Sequence, residues 1–152
     1  MTAQDIQTEA RRWVGTPYHP ELHRGMIGVG CDCVGLIIGV GVALGFMPDD
    51  YMLEKPWEST GGAVATVIEH WRDELRKYAT EIPEAEPGCV VLFERAGLLP
   101  HCGIVTEIDY GSGIVALGLV HAYNPDDKVI EQRLDERWQR RIDTCWRFKV
   151  LG

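Results

Sequence analysis

Basic charge is scarce in this chain. Fifteen lysines and arginines stand against 23 aspartates and glutamates, a formal charge of −8 over 152 residues. Nucleic-acid binding needs a basic footprint on the phosphate backbone, so that class of partner is disfavoured. The one basic stretch, Arg137 to Arg141, is interrupted by Trp138 and Gln139 and reads as a solvated face. Long apolar runs are missing too. The longest, Val34 to Met47, is too short to span a bilayer. The first residues, Met1-Thr2-Ala3-Gln4-Asp5, have no basic segment leading into an apolar one. No secretory signal is expected, and the chain is expected to be made in the cytoplasm. The five cysteines are odd in number and follow no spaced framework, which argues against a disulfide-stapled scaffold and for reduced thiols. There is no internal repeat and no low-complexity tract.

What the chain has is a core. Apolar residues make up 45% of it, too many for disorder. A length of 152 residues is most simply one domain, 1–152. A chain of this size buries roughly two-thirds of its unfolded surface. Thr2 and Asp5 resemble a capping pair for a first helix, along which Ile6, Ala10, Trp13 and Val14 form one apolar stripe. Gly15-Thr16-Pro17 ends that helix, and a loop from Tyr18 to Gly30 delivers the chain to a second helix over 33–44, stopped by Gly45. After a loop that runs past Pro56 to Gly61-Gly62, a third helix puts Val64, Val67, Ile68, Trp71, Leu75 and Tyr78 on one face. Pro83 and Pro87 bound an acidic linker. The period then changes to that of strands, over 89–93, 103–108, 114–121, 129–134 and 146–149. Asp109-Tyr110-Gly111-Ser112-Gly113 is a hairpin turn between the second and third of these. Helices followed by strands predict an α+β fold, with helices packed on a mostly antiparallel sheet.

Cys33 is the candidate nucleophile. It stands where a Gly-rich loop becomes an apolar helix, and the first turn of a helix offers unpaired N–H groups and partial positive charge. Both favour the thiolate, the reactive form. Cys89 and Cys145, in apolar strand-like contexts, read instead as buried structural cysteines. His101 starts one strand, on the face of Gly103 and Val105, where Gly103 is expected to leave open space beside the imidazole. His121 ends the next strand. If the two pair through the turn near Gly111, both histidines fall at one end of the hairpin, and a Cys–His–His set forms where Cys33 meets that end. The alternative is a pair of unrelated structural histidines. A zinc site built from Cys31, Cys33, His101, Cys102 and His121 is disfavoured, because C-x-C is not a usual finger spacing and Cys102 should point away from His101. A Cys31–Cys33 redox pair lacks the C-x-x-C spacing.

Those residues carry a resemblance. Gly15-Thr16-Pro17-Tyr18, Asp32-Cys33-Val34-Gly35-Leu36-Ile37, Pro87-Gly88-Cys89-Val90-Val91-Leu92-Phe93, His101-Cys102-Gly103-Ile104-Val105 and Val120-His121-Ala122 come in the order of the motifs of the NlpC-type cell-wall peptidases, papain-like cysteine endopeptidases. The resemblance covers most of the chain. It implies a papain-like core in which Cys33 attacks an amide carbonyl, His101 is the general base and His121 orients it. It implies substrate-binding positions at Tyr18 and Asp32 for the free amino end of a peptidoglycan stem peptide, and no metal or organic cofactor. A short chain without an export signal looks most like the phage-tail or gene-transfer-particle branch, which acts on the cell wall with other particle proteins as partners. Two positions depart from the pattern: Val34 stands where the family often has serine, and Cys89 where it often has aspartate. Other readings are a structural tail-tip component of the same fold with little activity, and an acyltransferase that uses the same thioester.

Overall fold

Helix α1 spans Ala3–Arg11, and its start is set by the capping pair. Thr2 Oγ1 accepts the Asp5 N–H at 3.2 Å while the Asp5 carboxylate accepts the Thr2 N–H at 2.7 Å. Each side chain satisfies a donor the helix leaves unpaired. Ile6, Ala10 and Trp13 are buried as the stripe requires, but Val14 is 46% exposed. The helix stops at Arg11, so helical spacing no longer places Val14 against the core.

The computed structural model describes residues 1–20, 24–54 and 64–149. Pro56 and Gly61-Gly62 lie outside these, as does the side chain of Val64. Helix α2, Cys33–Ala43, is apolar on nearly every side. Its glycines lower helix propensity for a packing reason: a Cβ on Gly39 would sit 2.3 Å from a ring carbon of Trp13. Helix α3, Val64–Arg76, buries Val67, Ile68, Trp71 and Leu75 as its periodicity predicts.

The strands are β1 (Ala79–Ile82), β2 (Val90–Phe93), β3 (His101–Asp109), β4 (Val115–Tyr123), β5 (Lys128–Arg133) and β6 (Ile142–Phe148), with a short helix α4 (Glu136–Gln139) before β6. They form an antiparallel sheet of order β1-β6-β2-β3-β4-β5. The α+β arrangement with helices on an antiparallel sheet is the one predicted. Strand β1 has no counterpart in the sequence reading, because its buried-exposed-exposed-buried pattern carries no alternation. Strand β6 begins at Ile142 rather than Trp146, since its first residues are only half-buried.

Strand side chains alternate between faces, and this separates two apolar clusters. Leu36 and Ile38 from α2 join Val90, Leu92, Cys102, Ile104, Val120 and Trp146 on the helix side. Val91, Phe93, Val105, Leu119, Cys145 and Trp138 fill the other. No helix among the described residues is long and apolar enough to cross a membrane.

Candidate active site

The Gly15–Tyr18 segment is clamped between two parts of the chain. Gly15 N–H donates to the Val129 carbonyl at 2.9 Å and Val129 N–H to Thr16 O at 2.8 Å. Further on, Cys31 N–H donates to Pro17 O and His19 N–H to Cys31 O, each at 3.0 Å. This short parallel pairing of Tyr18 with Cys31 holds the phenol beside the start of α2. There Asp32 is the N-cap: it is buried, and its Oδ1 accepts the Gly35 N–H at 2.6 Å. Leu36 N–H returns to the Asp32 carbonyl at 3.1 Å. The N–H groups of Cys33 and Val34, in the same first turn, precede the first intrahelical bond.

Cys33 is half-buried at the first position of α2. It packs on the helix side of the sheet, beside the Cys102 thiol. Cys102 belongs to β3 and points toward α2, away from His101, as alternation predicts.

His101 and His121 meet on the opposite face. Strands β3 and β4 pair from Ile104–Val120 to Asp109–Val115. The turn at Gly111 closes one end and leaves both histidines at the other. His101 Nε2 and His121 Nδ1 are 2.7 Å apart, and His121 Nε2 lies 2.9 Å from Gln132 Oε1 on β5. Both histidines are buried. Phe93 stacks on His101 at 5.9 Å between centroids, and Tyr123 on His121 at 5.0 Å. Trp138 of α4 lies 5.5 Å from the first ring and 5.1 Å from the second. The space expected beside Gly103 is filled: a Cβ there would meet Leu119 Cδ1 at 2.6 Å and His121 Cβ at 3.1 Å. Glycine thus lets His121 approach β3.

A cavity of about 210 Å³ wraps the first residue of β3 and joins the two sides. Tyr18, Asp32, Cys33, Arg95, His101 and Tyr123 border it. Cys33 and His101 share this cavity, although no hydrogen bond between them is among those of the described residues. Catalytic contacts are often long before substrate binds. Arg95 is held by a 2.9 Å bond from its Nε to the Leu99 carbonyl and brings a cation to the same wall. Among the described residues no group of three His, Cys, Asp or Glu side chains converges as a metal would need.

Burial dominates the electrostatics. It holds His101 well below the ordinary imidazole range, helped by His121 and by the Arg95 guanidinium. It brings His121 down to about 4, against the opposing hydrogen bond to Gln132. Both rings are therefore neutral at neutral pH. The Cys31 thiol is pushed up to about 12 by burial, and Cys102 is raised by burial and by the neighbouring Cys33 thiol. Burial and the nearby Cys33 and Asp32 raise the Tyr18 phenol. Cys89 and Cys145 are buried, as their apolar contexts predict.

Sequence reasoning missed Trp138, Arg95 and Gln132. The stretch containing Trp138 reads as a solvated face, and its arginines are exposed, but Trp138 itself is 3% exposed beneath the histidines. The signal was a tryptophan inside a charged run. Gln132 carries none, since alternation on β5 does not distinguish a polar residue facing water from one facing an imidazole.

No protein-family model matches the sequence, and no curated protein matches it. Among solved structures, two crystal structures of an N-acetylmuramoyl-L-alanine amidase from Bacteroides uniformis share its fold. One superimposes with a TM-score of 0.55 at 14% identity and the other with 0.53 at 15%, each over 97% of this chain and 98% of theirs. At such identity the likeness is one of architecture.

Proposed function

We propose that this protein is a cysteine amide hydrolase acting on peptidoglycan, with Cys33 as nucleophile, His101 as general base and His121 orienting it. The observation that carries the reading is that His101, on the wall of a cavity that Cys33 also borders, is bonded at 2.7 Å to His121 behind it. The fold shared with a solved cell-wall amidase supports the substrate class.

In this reading the substrate carbonyl enters between Cys33 and His101. The sulfur turns from Cys102 into the cavity, His101 takes its proton, and the thiolate attacks the carbonyl carbon. A buried, neutral His101 favours proton transfer during attack over an ion pair held beforehand. The N–H groups of Cys33 and Val34 face the developing oxyanion. His101 then gives its proton to the leaving amine, and a thioester remains on Cys33. Water, deprotonated by His101, attacks the thioester and releases a carboxylic acid and the free thiol.

Tyr18 and Asp32 border the same cavity and are assigned to the amino end of the stem peptide. Because the Asp32 carboxylate also caps α2, it orients the nucleophile as well as facing the ligand. Arg95 offers a partner for a stem-peptide carboxylate. It also borders a larger neighbouring cleft of about 880 Å³ that Arg140 and Arg141 share. An origin in a phage tail or gene-transfer particle, which would deliver the enzyme to the wall, is part of the same proposal.

The experiment is digestion of purified peptidoglycan, with product masses compared between wild type and Cys33→Ala. New free amines and carboxylates from wild type alone support hydrolysis, and the masses identify the bond, whether within the stem or between muramic acid and L-alanine. Products joined to an added amine point to the acyltransferase. Equal, empty digests point to the structural tail component.

A further inference from the structure

The contacts behind His101 do not stop at His121. Gln132 and Ile130 lie two apart on β5, and Ile130 pairs directly with His121 on β4. Gln132 is thus the diagonal neighbour of His121 on the same face. Glu131, between them, faces the other way, where its carboxylate meets Arg11 at 3.0 Å and Thr106 Oγ1 at 2.7 Å. We propose that Gln132 is a positioning residue that fixes the tautomers of both histidines and so decides which nitrogen of His101 is basic. The proposal rests on the reading of His101 as the base.

An amide oxygen only accepts, so the 2.9 Å contact with Gln132 Oε1 requires the hydrogen on His121 Nε2. A neutral imidazole carries one N–H, so His121 Nδ1 is bare and accepts. Its partner at 2.7 Å, His101 Nε2, must then donate. That leaves Nδ1 as the bare nitrogen of His101, able to take the proton of Cys33. When it does, the imidazolium still donates through Nε2 to His121, which donates to Gln132. The charge is met by a line of acceptors that ends on an uncharged oxygen. With an apolar side chain at 132, His121 loses the acceptor that fixes its hydrogen, and its tautomer becomes free. A carboxylate there would keep the acceptor and add a negative charge.

Other groups face this pair without setting the tautomers. Arg95 acts from the loop before β3, and Asp126 from the turn after β4. Tyr123 stacks on His121, and Phe93 and Trp138 supply uncharged walls. Cys33, Cys102, Asp32 and Tyr18 lie around the strand end on the cavity and helix side.

The test combines nitrogen NMR of the histidine rings with pH–rate profiles on the full chain. At pH 7 the wild-type spectrum should show both rings protonated at Nε2 and bare at Nδ1. Gln132→Leu should mix the tautomers of His121 and lower kcat about tenfold or more with little change in KM. Gln132→Glu should restore the single tautomer and most of the rate. It should also move the acid limb of kcat/KM up by about one pH unit, because a negative charge favours the imidazolium. A merely structural role would leave the tautomers of Gln132→Leu unmixed. Wild-type His121 protonated at Nδ1 would overturn the proposal, as would Gln132→Leu with unchanged tautomers and rate, or an unmoved limb in active Gln132→Glu. Should Gln132→Leu fail to fold, the wild-type spectrum and Gln132→Glu decide. Should no form hydrolyse peptidoglycan, the function assigned above fails, while the spectra still decide the part played by Gln132.

Discussion

Cys33 and His101 border one cavity from surroundings of opposite character. The cysteine is half-buried at the mouth of α2, with the Cys102 thiol beside its sulfur. The histidine is 3% exposed, stacked on Phe93, flanked by Trp138 and bonded to His121, which is in turn bonded to Gln132. They come from the two faces of the sheet and border the same cavity because His101 is the first residue of β3. The difference divides the labour. In the proposed mechanism the histidine, as base, is kept in place by these neighbours, while the cysteine, as nucleophile, turns into the cavity. A fixed ring and tautomer are what proton transfer needs; the thiol needs access.

The largest expected effect follows from the loose side. Cys33→Ala should abolish hydrolysis yet leave the melting temperature near native, because the thiol is half-exposed and the change is small. The activity assay and a thermal melt check it, and an unfolded Cys33→Ala would mean that the cysteine side is as tightly built as the histidine side.

On the locked side activity and stability should fall together. The sequence alone allows His121 to be a partly exposed ring whose removal leaves stability untouched. At 0% exposure it is no such ring. His121→Ala should lower turnover and also cost about 1–3 kcal/mol, because His101 Nε2 and Gln132 Oε1 lose their partner in a buried site. His121→Asn or His121→Gln should retain more of the rate, since an amide oxygen still accepts the imidazole N–H. Chemical denaturation beside turnover separates the two losses.

A smaller effect is the response to acid. His121 is lowered in the fold to about 4, and His101 is lowered too, so the unfolded chain binds more protons between the ordinary histidine value and these. Stability should be full above about pH 6.5 and fall as pH drops toward 4, by up to about 1.4 kcal/mol per pH unit for His121, with His101 adding a loss in the same direction. Denaturation midpoints across that range test it. The slope should shrink in His121→Asn, and an unchanged slope would place the titrating group elsewhere.

The first three helices, four of the strands to within a few residues and the hairpin turn were legible in the sequence because each has a local cause: the Thr2–Asp5 cap, the period of Val67 to Leu75, the Asp109–Gly113 turn. The shared end of the hairpin was legible for the same reason, since a turn fixes register. Strand β1 and the early part of β6 were not, because their polar residues gain their place only from each other. Three-dimensional neighbours were the least legible. That Cys33 would lie over Cys102, that Leu119 and His121 would fill the space at Gly103, and that Trp138 and Gln132 would back the histidines all depend on which strands are adjacent.

The central claim is that Cys33 and His101 act as one unit across the strand end. Its most direct test is the pH dependence of Cys33 alkylation by iodoacetamide, mapped by peptide mass in wild type and in His101→Ala. The account predicts that Cys33 is the first of the five thiols to react in wild type, ahead of buried Cys31 and Cys102, with a rate limb that disappears when His101 is removed. Identical profiles in the two proteins, or faster labelling of another cysteine, would contradict it.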